Sequence, residues 1–121
     1  RDVKLAVCDI NTGKYIGNVY MTDINQLNRT CVSHILIGDK SYWGQGYAKE
    51  ALMLALDYMF NERNMNRVQA IVLESNVASL KMHQKCGYQI DGLLRQSVYK
   101  NGKYQNQYVL SLLKEDYLKL G

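Results

Sequence analysis

The chain has 121 residues, of which 47% are hydrophobic and 21% are charged, and its formal net charge is +4. This length and balance are typical of one globular domain with its own core, and they exclude a disordered chain. No apolar run approaches the roughly 18 residues of a membrane-spanning helix, and the first residues lack the pattern of a secretory signal. The basic residues are scattered, which disfavours a nucleic-acid-binding module but leaves a smaller anionic ligand open.

The cysteines are Cys8, Cys31 and Cys86, an odd number with wide spacing. This pattern predicts neither a zinc site nor a disulfide framework, and we expect no bound metal. We expect the three to be small buried hydrophobic side chains in a reducing compartment, the cytoplasm.

The first third of the sequence is rich in β-branched and aliphatic residues and predicts three strands. Asn11 to Lys14 forms a turn signal between the first two strands, and the polar stretch 23–29 predicts a loop before the third. The predicted strands are 3–9, 15–22 and 30–37.

A helix is predicted next, because apolar residues recur at spacings of three and four from Ala51 to Met59; it should end near Asn64. Residues 67–73 form a continuous apolar run, which predicts a strand buried on both faces. Ser75 or Asn76 can cap a second helix that ends near Cys86, where Gly87 follows.

Two further strands, 88–99 and 104–113, are joined by Lys100-Asn101-Gly102-Lys103, and Asn-Gly is a strong hairpin signal. A short polar and apolar tail, 115–120, follows. The predicted order is strand-strand-strand-helix-strand-helix-strand-strand, with a right-handed crossover in the middle. The class is α+β, or α/β in a looser vocabulary, with a mixed, mostly antiparallel sheet, and the chain is one domain, 1–121.

The segment Trp43 to Glu50 is the most informative for function. Gly44 and Gly46 lie between a strand and a helix, and glycine allows close approach of the backbone to a ligand. The free N–H groups of the helix start add a partial positive charge, so the segment can hold phosphate oxygens. The alternative is a sharp turn without a ligand. A dinucleotide fingerprint is excluded, because Lys49 stands where its third glycine would be, and no P-loop lysine follows.

A second candidate site combines Asn76, Ser79 and His83, whose spacing places them on one face of the second helix. Histidine titrates near neutral pH, so His83 is a candidate general acid or base. His34, at the end of the third strand, is a further candidate. Each histidine can equally be an ordinary packed or solvated side chain.

The segment Tyr42 to Ala51 resembles the acetyl-CoA loop of the GNAT superfamily, in which Gly46 and Ala48 match two fixed positions and Trp43 departs from the usual Gln or Arg. Asn76-Val77-Ala78-Ser79 followed by Lys85-Cys86-Gly87-Tyr88 resembles the second motif of the family. The ending Asp91 to Arg95, then Lys100 to Tyr104, is similar to the closing hairpin of ribosomal-protein N-terminal acetyltransferase-like and spermidine acetyltransferase-like members.

This resemblance implies a GNAT fold and an N-acetyltransferase with acetyl-CoA as cosubstrate. The loop would hold the pyrophosphate, Asn76 and Ser79 would line the pantetheine arm, and a splay in the third strand would admit the thioester. A primary amine, from a protein N-terminus or a small molecule, would attack the acetyl carbon directly. The implied coenzyme-binding residues are Ile37, Trp43, Gly44, Gln45, Gly46, Tyr47, Ala48, Lys49, Asn76 and Ser79.

Two departures from the family concern catalysis. His83 stands where many relatives have a tyrosine that reprotonates the thiolate, and His34 lies in the region where some relatives carry a glutamate base. We expect His83 and His34 to be the catalytic pair. We also expect a homodimer, and a fragment that lacks the first strand and helices of the family. The alternative is a non-catalytic GNAT-like domain that binds coenzyme A or a protein partner.

Overall fold

A computed structural model describes residues 2–120 of the chain. It contains six strands and three α-helices among these residues. In chain order these are β1 Val3–Cys8, β2 Tyr15–Asn25, β3 Thr30–Ile37, α1 Tyr47–Asp57, β4 Arg67–Leu73, α2 Val77–Lys85, β5 Gln89–Lys100, β6 Lys103–Leu113 and α3 Lys114–Leu120. A 3₁₀ turn, Lys40–Tyr42, precedes α1, and a π-helical turn, Tyr58–Glu62, extends it.

The strands form one sheet in the order β1-β2-β3-β4-β6-β5. Only β3 and β4 pair in parallel, and α1 makes the crossover between them. The other four neighbouring pairs are antiparallel, which confirms the predicted mixed α+β architecture. The predicted hairpin turn forms at Asn101 and Gly102, which both adopt positive φ angles of 55° and 77°.

The core lies between one face of the sheet and the helices. The apolar period predicted for the first helix is confirmed, because Leu52, Ala55, Leu56 and Met59 are fully buried. They pack with strand side chains such as Leu110. The opposite face of the sheet carries large exposed apolar side chains in the part of the chain that the structure describes.

The prediction that the fourth strand is buried on both faces is wrong. Val68, Ala70 and Val72 are buried, but the residues between them are not, and Ile71 is 42% exposed. The apolar run is continuous, yet among residues 2–120 the core elements cover only one face of this strand.

Two segments are more regular than expected. The loop predicted at 23–29 begins late, because β2 continues to Asn25 through an irregularity at Asp23, whose φ is 51°. The tail forms helix α3, where Tyr117 stacks at 5.0 Å on Phe60 and its hydroxyl donates to Asp57 at 2.9 Å. These contacts with the π-helical turn and α1 order a segment too short to be a stable helix alone.

The expectation for the cysteines is correct for two of the three. Cys31 and Cys86 are buried and their burial raises the pKa of each thiol to about 11, but Cys8 is exposed. Cys8 lies at the end of the edge strand β1, beside the irregular pairing at Val7.

Gly17 provides a test of how closely β2 and β3 approach. A Cβ atom at Gly17 would overlap the backbone carbonyl oxygen of Leu36, whereas one at Gly92, also in a strand, would meet no atom within 4 Å. We expect Gly17→Ala to lower the free energy of unfolding by about 1–3 kcal/mol, the usual cost of overpacking. Gly92→Ala is the matched control. Urea unfolding measures both, and equal effects would contradict the close approach.

Candidate functional site

The loop before α1 depends on two left-handed glycines. Gly44 and Gly46 have φ angles of 75° and 86°, and Gly46 is the residue before the first turn of α1. A Cβ atom at either position would meet no protein atom within 4 Å. Glycine is therefore required here by the backbone conformation, and the space beside the loop stays open to a ligand. The backbone N–H groups in the first turn of α1 have no partner within the helix and point toward this loop.

Trp43 joins this loop to the end of β3. Its indole N–H donates to the carbonyl oxygen of Ile37 at 2.7 Å. The Gln45 amide donates to the carbonyl oxygen of Ser41 at 2.7 Å. The side chain of Gln45 therefore makes its hydrogen bond within the loop.

The sheet splits beside the loop, as the family resemblance implied. β3 pairs with β4 only from Thr30 to Val32, while β4 continues along β6 as far as Leu73. At the point of separation the Ser33 hydroxyl donates to the carbonyl oxygen of Gln69 at 3.3 Å. The buried Tyr88 hydroxyl lies 2.8 Å from the same Ser33 oxygen, and burial raises the pKa of Tyr88. Polar side chains thus replace the ladder hydrogen bonds that end here.

A cavity of about 590 Å³ lies between the loop, the free end of β3 and α2. Of the predicted coenzyme-binding residues, only Gln45 is not part of its wall. The wall consists of Ile35, Leu36, Ile37, Tyr42, Trp43, Gly44, Gly46, Tyr47, Ala48, Lys49, Asn76, Ala78, Ser79, Lys81, Met82 and Lys85.

The wall has one positive and one apolar part. Lys49 comes from the first turn of α1, and Lys81 and Lys85 lie one turn apart on α2. No carboxylate belongs to the wall, and neither ion pair found within residues 2–120 involves these lysines. Ile35 and Met82 supply apolar surface. A long ligand with phosphates at one end and a less polar arm at the other matches this surface.

The sequence analysis missed several of these residues. Lys81 and Lys85 follow Ala78 at spacings of three and seven, so helical periodicity could have placed them on the side of α2 that carries the cleft. No local signal indicates Ile35 or Leu36, because their access to the cavity depends on the separation of β3 from β4.

Asn76 and Ser79 are placed in the wall by the start of α2. The Asn76 carboxamide oxygen accepts from the Ser79 N–H at 3.1 Å and caps the helix, as its position in the sequence predicted. The Asn76 carboxamide oxygen is therefore occupied by the helix cap. Asn76 and Ser79 both line the cavity at the start of α2.

His83 is not in the cavity wall and is only 3% exposed. Its Nδ1 lies 2.8 Å from the Ser79 carbonyl oxygen, so Nδ1 carries the proton. The ring stands edge-on to Tyr88 with the ring centres 4.9 Å apart. Burial lowers the pKa of His83, which keeps the imidazole neutral at neutral pH.

His34 lies on the exposed face of β3, two residues before Leu36, and is also outside the wall. The Thr22 hydroxyl donates to the Asp23 carboxylate at 3.2 Å and lies 2.9 Å from His34 Nε2. Thr22 has one proton to give, so His34 Nε2–H is the donor to Thr22 in the arrangement in which Thr22 donates to Asp23.

Residues 2–120 contain neither a metal-binding cluster nor a membrane-spanning helix. No group of three or more His, Cys, Asp or Glu side chains could hold a metal ion. No helix in this range combines the length and the apolar character needed to cross a bilayer.

A mixed sheet whose two parallel strands separate, next to a helix that is preceded by a glycine loop, defines the GNAT class of fold. Residues 1–89 match the family model for the acetyltransferase (GNAT) domain, and the chain belongs to this family. The prediction made from the motifs is therefore confirmed.

Named relatives include bacterial acetyltransferases. The chain is 34% identical over 106 residues to an uncharacterized N-acetyltransferase, p20, of Bacillus licheniformis, covering 88% of this chain and 59% of the relative. It is 31% identical over 111 residues to spermidine N(1)-acetyltransferase of Escherichia coli K12, covering 92% and 58%. The chain thus spans less than two thirds of the length of these relatives.

Solved structures agree with the fold. A spermidine N-acetyltransferase from Vibrio cholerae, crystallised with CoA and spermine, superposes with a TM-score of 0.90 at 27% identity. The match covers 97% of this chain and 68% of that one. The F149A mutant of the same kind of enzyme gives a TM-score of 0.91, with 98% and 69% covered.

The two histidines allow a test of the burial of His83. A folded-state pKa below the ordinary value of 6.5 means that the unfolded chain binds more protons in that range, so stability falls as the pH drops through it. From about pH 7 to about pH 5 we expect the free energy of unfolding to decrease, by at most about 1.4 kcal/mol per pH unit for this group. His83→Phe should flatten the slope, and the exposed-site control His34→Gln should keep it.

Urea unfolding at several pH values measures these slopes. The range lies above the pKa of Asp39, which the hydrogen bond from Lys14 and those from Ser41 hold at about 2. A slope that survives in His83→Phe, or disappears in His34→Gln, would contradict the assignment.

Proposed function

We propose that this chain transfers the acetyl group of acetyl-CoA to a primary amine by direct attack in a ternary complex. The observation that carries the proposal is a cavity onto which the glycine loop, the split of the sheet and three lysines converge, and none of these lysines is in an ion pair within residues 2–120. Family membership supports the reaction class. The amine nitrogen would bond to the acetyl carbon, the carbon–sulfur bond would break, and the amine proton and the thiolate charge would each need a partner.

The cavity wall fits coenzyme A. Gly44 and Gly46 leave the backbone N–H groups open to a pyrophosphate, and the positive end of α1 favours anions there. The side chains of Lys49, Lys81 and Lys85 would balance the phosphate charge. Asn76 and Ser79 would line the pantetheine arm, beside apolar contacts.

The split between β3 and β4 supports the position of the thioester. Residues Ile35 to Ile37 pair with β2 but have no partner on β4. Apart from the Ile37 carbonyl oxygen, which Trp43 occupies, their backbone groups on the β4 side are open to a ligand inserted there. An N–H aimed at the thioester oxygen would stabilise the negative charge that develops in the transition state. Holding amine and thioester in one cleft would supply much of the remaining rate enhancement.

The two histidines receive different parts in this proposal. His34 would accept the amine proton at Nδ1, in the tautomer whose Nε2–H donates to Thr22. Its position on β3, two residues before the wall residue Leu36, supports this role. His83 would return a proton to the thiolate through the hydroxyl of Ser79, a wall residue that lies 3.4 Å from His83 Nδ1. Because the neutral ring holds its one proton against the Ser79 carbonyl oxygen, it would first take up a second proton at Nε2 and act as the imidazolium.

The acceptor is proposed only as a primary amine. Relatives are named as spermidine acetyltransferases, and a polyamine is attracted by carboxylates. Three aspartates, Asp23, Asp39 and Asp91, lie in or near loops and could attract a polyamine. Asp39 and Asp91 are in ion pairs with Lys14 and Arg67, and of these three Asp23 alone has no ion-pair partner within residues 2–120. A protein N-terminus or another small amine is therefore equally well supported.

We also propose a homodimer in the cytoplasm. β5 is an edge strand with exposed apolar side chains, including Ile90 and Leu93, and such an edge favours pairing with a second copy. Sedimentation velocity showing a single-chain mass would contradict this. The three free thiols support a reducing compartment, which cell fractionation would test.

The alternative function is a non-catalytic domain that binds coenzyme A or a protein partner. The replacement of the usual tyrosine by His83, whose ring is buried away from the cavity, favours it. Binding of coenzyme A without acetyl transfer would identify this case.

Gly46→Glu should abolish coenzyme A binding, because a carboxylate would fill the loop and repel phosphate. Two controls separate this effect from backbone strain. Gly46→Ala adds strain without charge, and Gly102→Glu places the same side chain at a similar φ of 77° in a turn outside the cavity. Isothermal titration calorimetry with coenzyme A measures all three. Equal affinities of Gly46→Glu and Gly102→Glu would argue against the phosphate site.

The reaction itself is tested by mass spectrometry of amine mixtures incubated with the protein and acetyl-CoA. The panel contains spermidine, small monoamines and peptides with free N-termini. We expect at least one acetylated product, and His34→Ala and His83→Ala to lower its rate more than they lower coenzyme A affinity. Unchanged rates would remove that histidine from the mechanism, and no product with any amine would favour the non-catalytic domain.

A further inference from the structure

The loop of the proposed coenzyme site contains two glycines, whose backbone has more conformational freedom than that of other residues. Gly44 and Gly46 restrict the backbone little, and both lie exposed at the surface. Backbone N–H groups bind an anion tightly only when they already point to one place, since ordering them on binding costs free energy. Something outside the loop must therefore hold it.

The hairpin of β1 and β2 makes such a contact. The Tyr42 hydroxyl donates to the Asp9 carboxylate at 2.8 Å, although the two residues are 33 positions apart. Asp9 is only 7% exposed. Its other carboxylate oxygen accepts the Asn11 N–H at 2.9 Å, so the turn itself orients the acceptor.

Tyr42 also reaches the other side of the loop. Its ring meets the ring of Tyr47, the first residue of α1, edge-on with the centres 5.0 Å apart. Tyr42 lies in the cavity wall. Tyr42 thus makes one contact on each side of the glycine loop. Its hydroxyl contacts the hairpin, and its ring contacts the start of α1.

A second contact runs parallel to the first. Lys14, on the same hairpin, forms an ion pair with Asp39 at 2.7 Å and lies 5.9 Å from the centre of the Tyr42 ring. Asp39 also accepts the Ser41 N–H at 3.0 Å, which fixes the 3₁₀ turn before the loop. Exposed ion pairs stabilise little, so the partly buried hydroxyl–carboxylate contact is the stronger of the two.

We infer that Tyr42 and Asp9 are positioning residues, which hold the glycine loop in the shape that binds the phosphates of coenzyme A. This inference rests on the proposed function. The contact acts on the affinity of the loop for the coenzyme and does not touch the acetyl group or the amine. Its loss should therefore raise the dissociation constant and the KM for acetyl-CoA, while kcat at saturation changes little.

The test uses Tyr42→Phe, which removes one oxygen atom and keeps the ring between Lys14 and Tyr47. We expect a 3- to 10-fold weaker affinity for coenzyme A in calorimetry, about the effect of one net hydrogen bond. Asp9→Ala should have a similar effect, and the double variant should be no weaker than either single variant, because the two residues share one contact. Asp9→Asn keeps one accepting oxygen for the Asn11 N–H and presents an amide N–H to the Tyr42 hydroxyl, which can accept it, so this variant should bind more tightly than Asp9→Ala.

Tyr104→Phe is the matched control. Tyr104 is 63% exposed on the β5–β6 hairpin, outside the cavity wall, and the change should leave affinity and KM unaltered. A merely structural role of Tyr42 would reduce the fraction of molecules that bind, seen as lower stoichiometry at an unchanged dissociation constant. That result, or additive effects of Tyr42→Phe and Asp9→Ala, would overturn the inference.

The outcome is distinguishable from failure of the proposed function. If the unmodified chain does not bind coenzyme A, the proposed function fails. If it binds and Tyr42→Phe binds equally well, only the positioning inference fails.

Discussion

The early end of the β3–β4 ladder is the constraint on which the rest of the structure depends. A parallel pair that continued past Val32 would place backbone hydrogen bonds where the cavity now lies. β4 keeps its pairing with β6 along its whole length, and β3 keeps its pairing with β2. Only the two edges that face each other beyond Val32 and Gln69 are open. Ser33 and Tyr88 satisfy the polar groups at the fork, so the opening is stable without a ligand.

The glycine loop and α2 are arranged around this opening. The end of β3 leads through the 3₁₀ turn into the two left-handed glycines, and the indole of Trp43 ties the loop back to Ile37. α2 closes the other side with its capped first turn and its lysines. The open loop and the lysines therefore lie next to the apolar part of the wall, the arrangement that the proposed coenzyme would need.

The β1–β2 hairpin has a role that its position in the sheet does not suggest. It forms the edge of the sheet, yet its turn supplies Asp9 and Lys14 to the segment before α1. Glycine-rich loops gain ligand access at the expense of rigidity. Contacts from a neighbouring, regularly paired element restore that rigidity without placing side chains in the binding space.

The sequence by itself determined the elements whose signals are local. These are the helix period from Ala51 to Met59, a cap at Ser75 or Asn76, the Asn101-Gly102 turn and the glycine loop, and with them the family. Tertiary structure alone decided which face of β4 is covered, where Ile35 and Leu36 become accessible, and that His83 is buried while His34 is exposed. Tertiary structure also decided that the tail forms helix α3 and that Asp9 contacts Tyr42. The reason is physical: periodicity and turn chemistry act over a few residues, whereas burial and strand separation depend on partners distant in the chain.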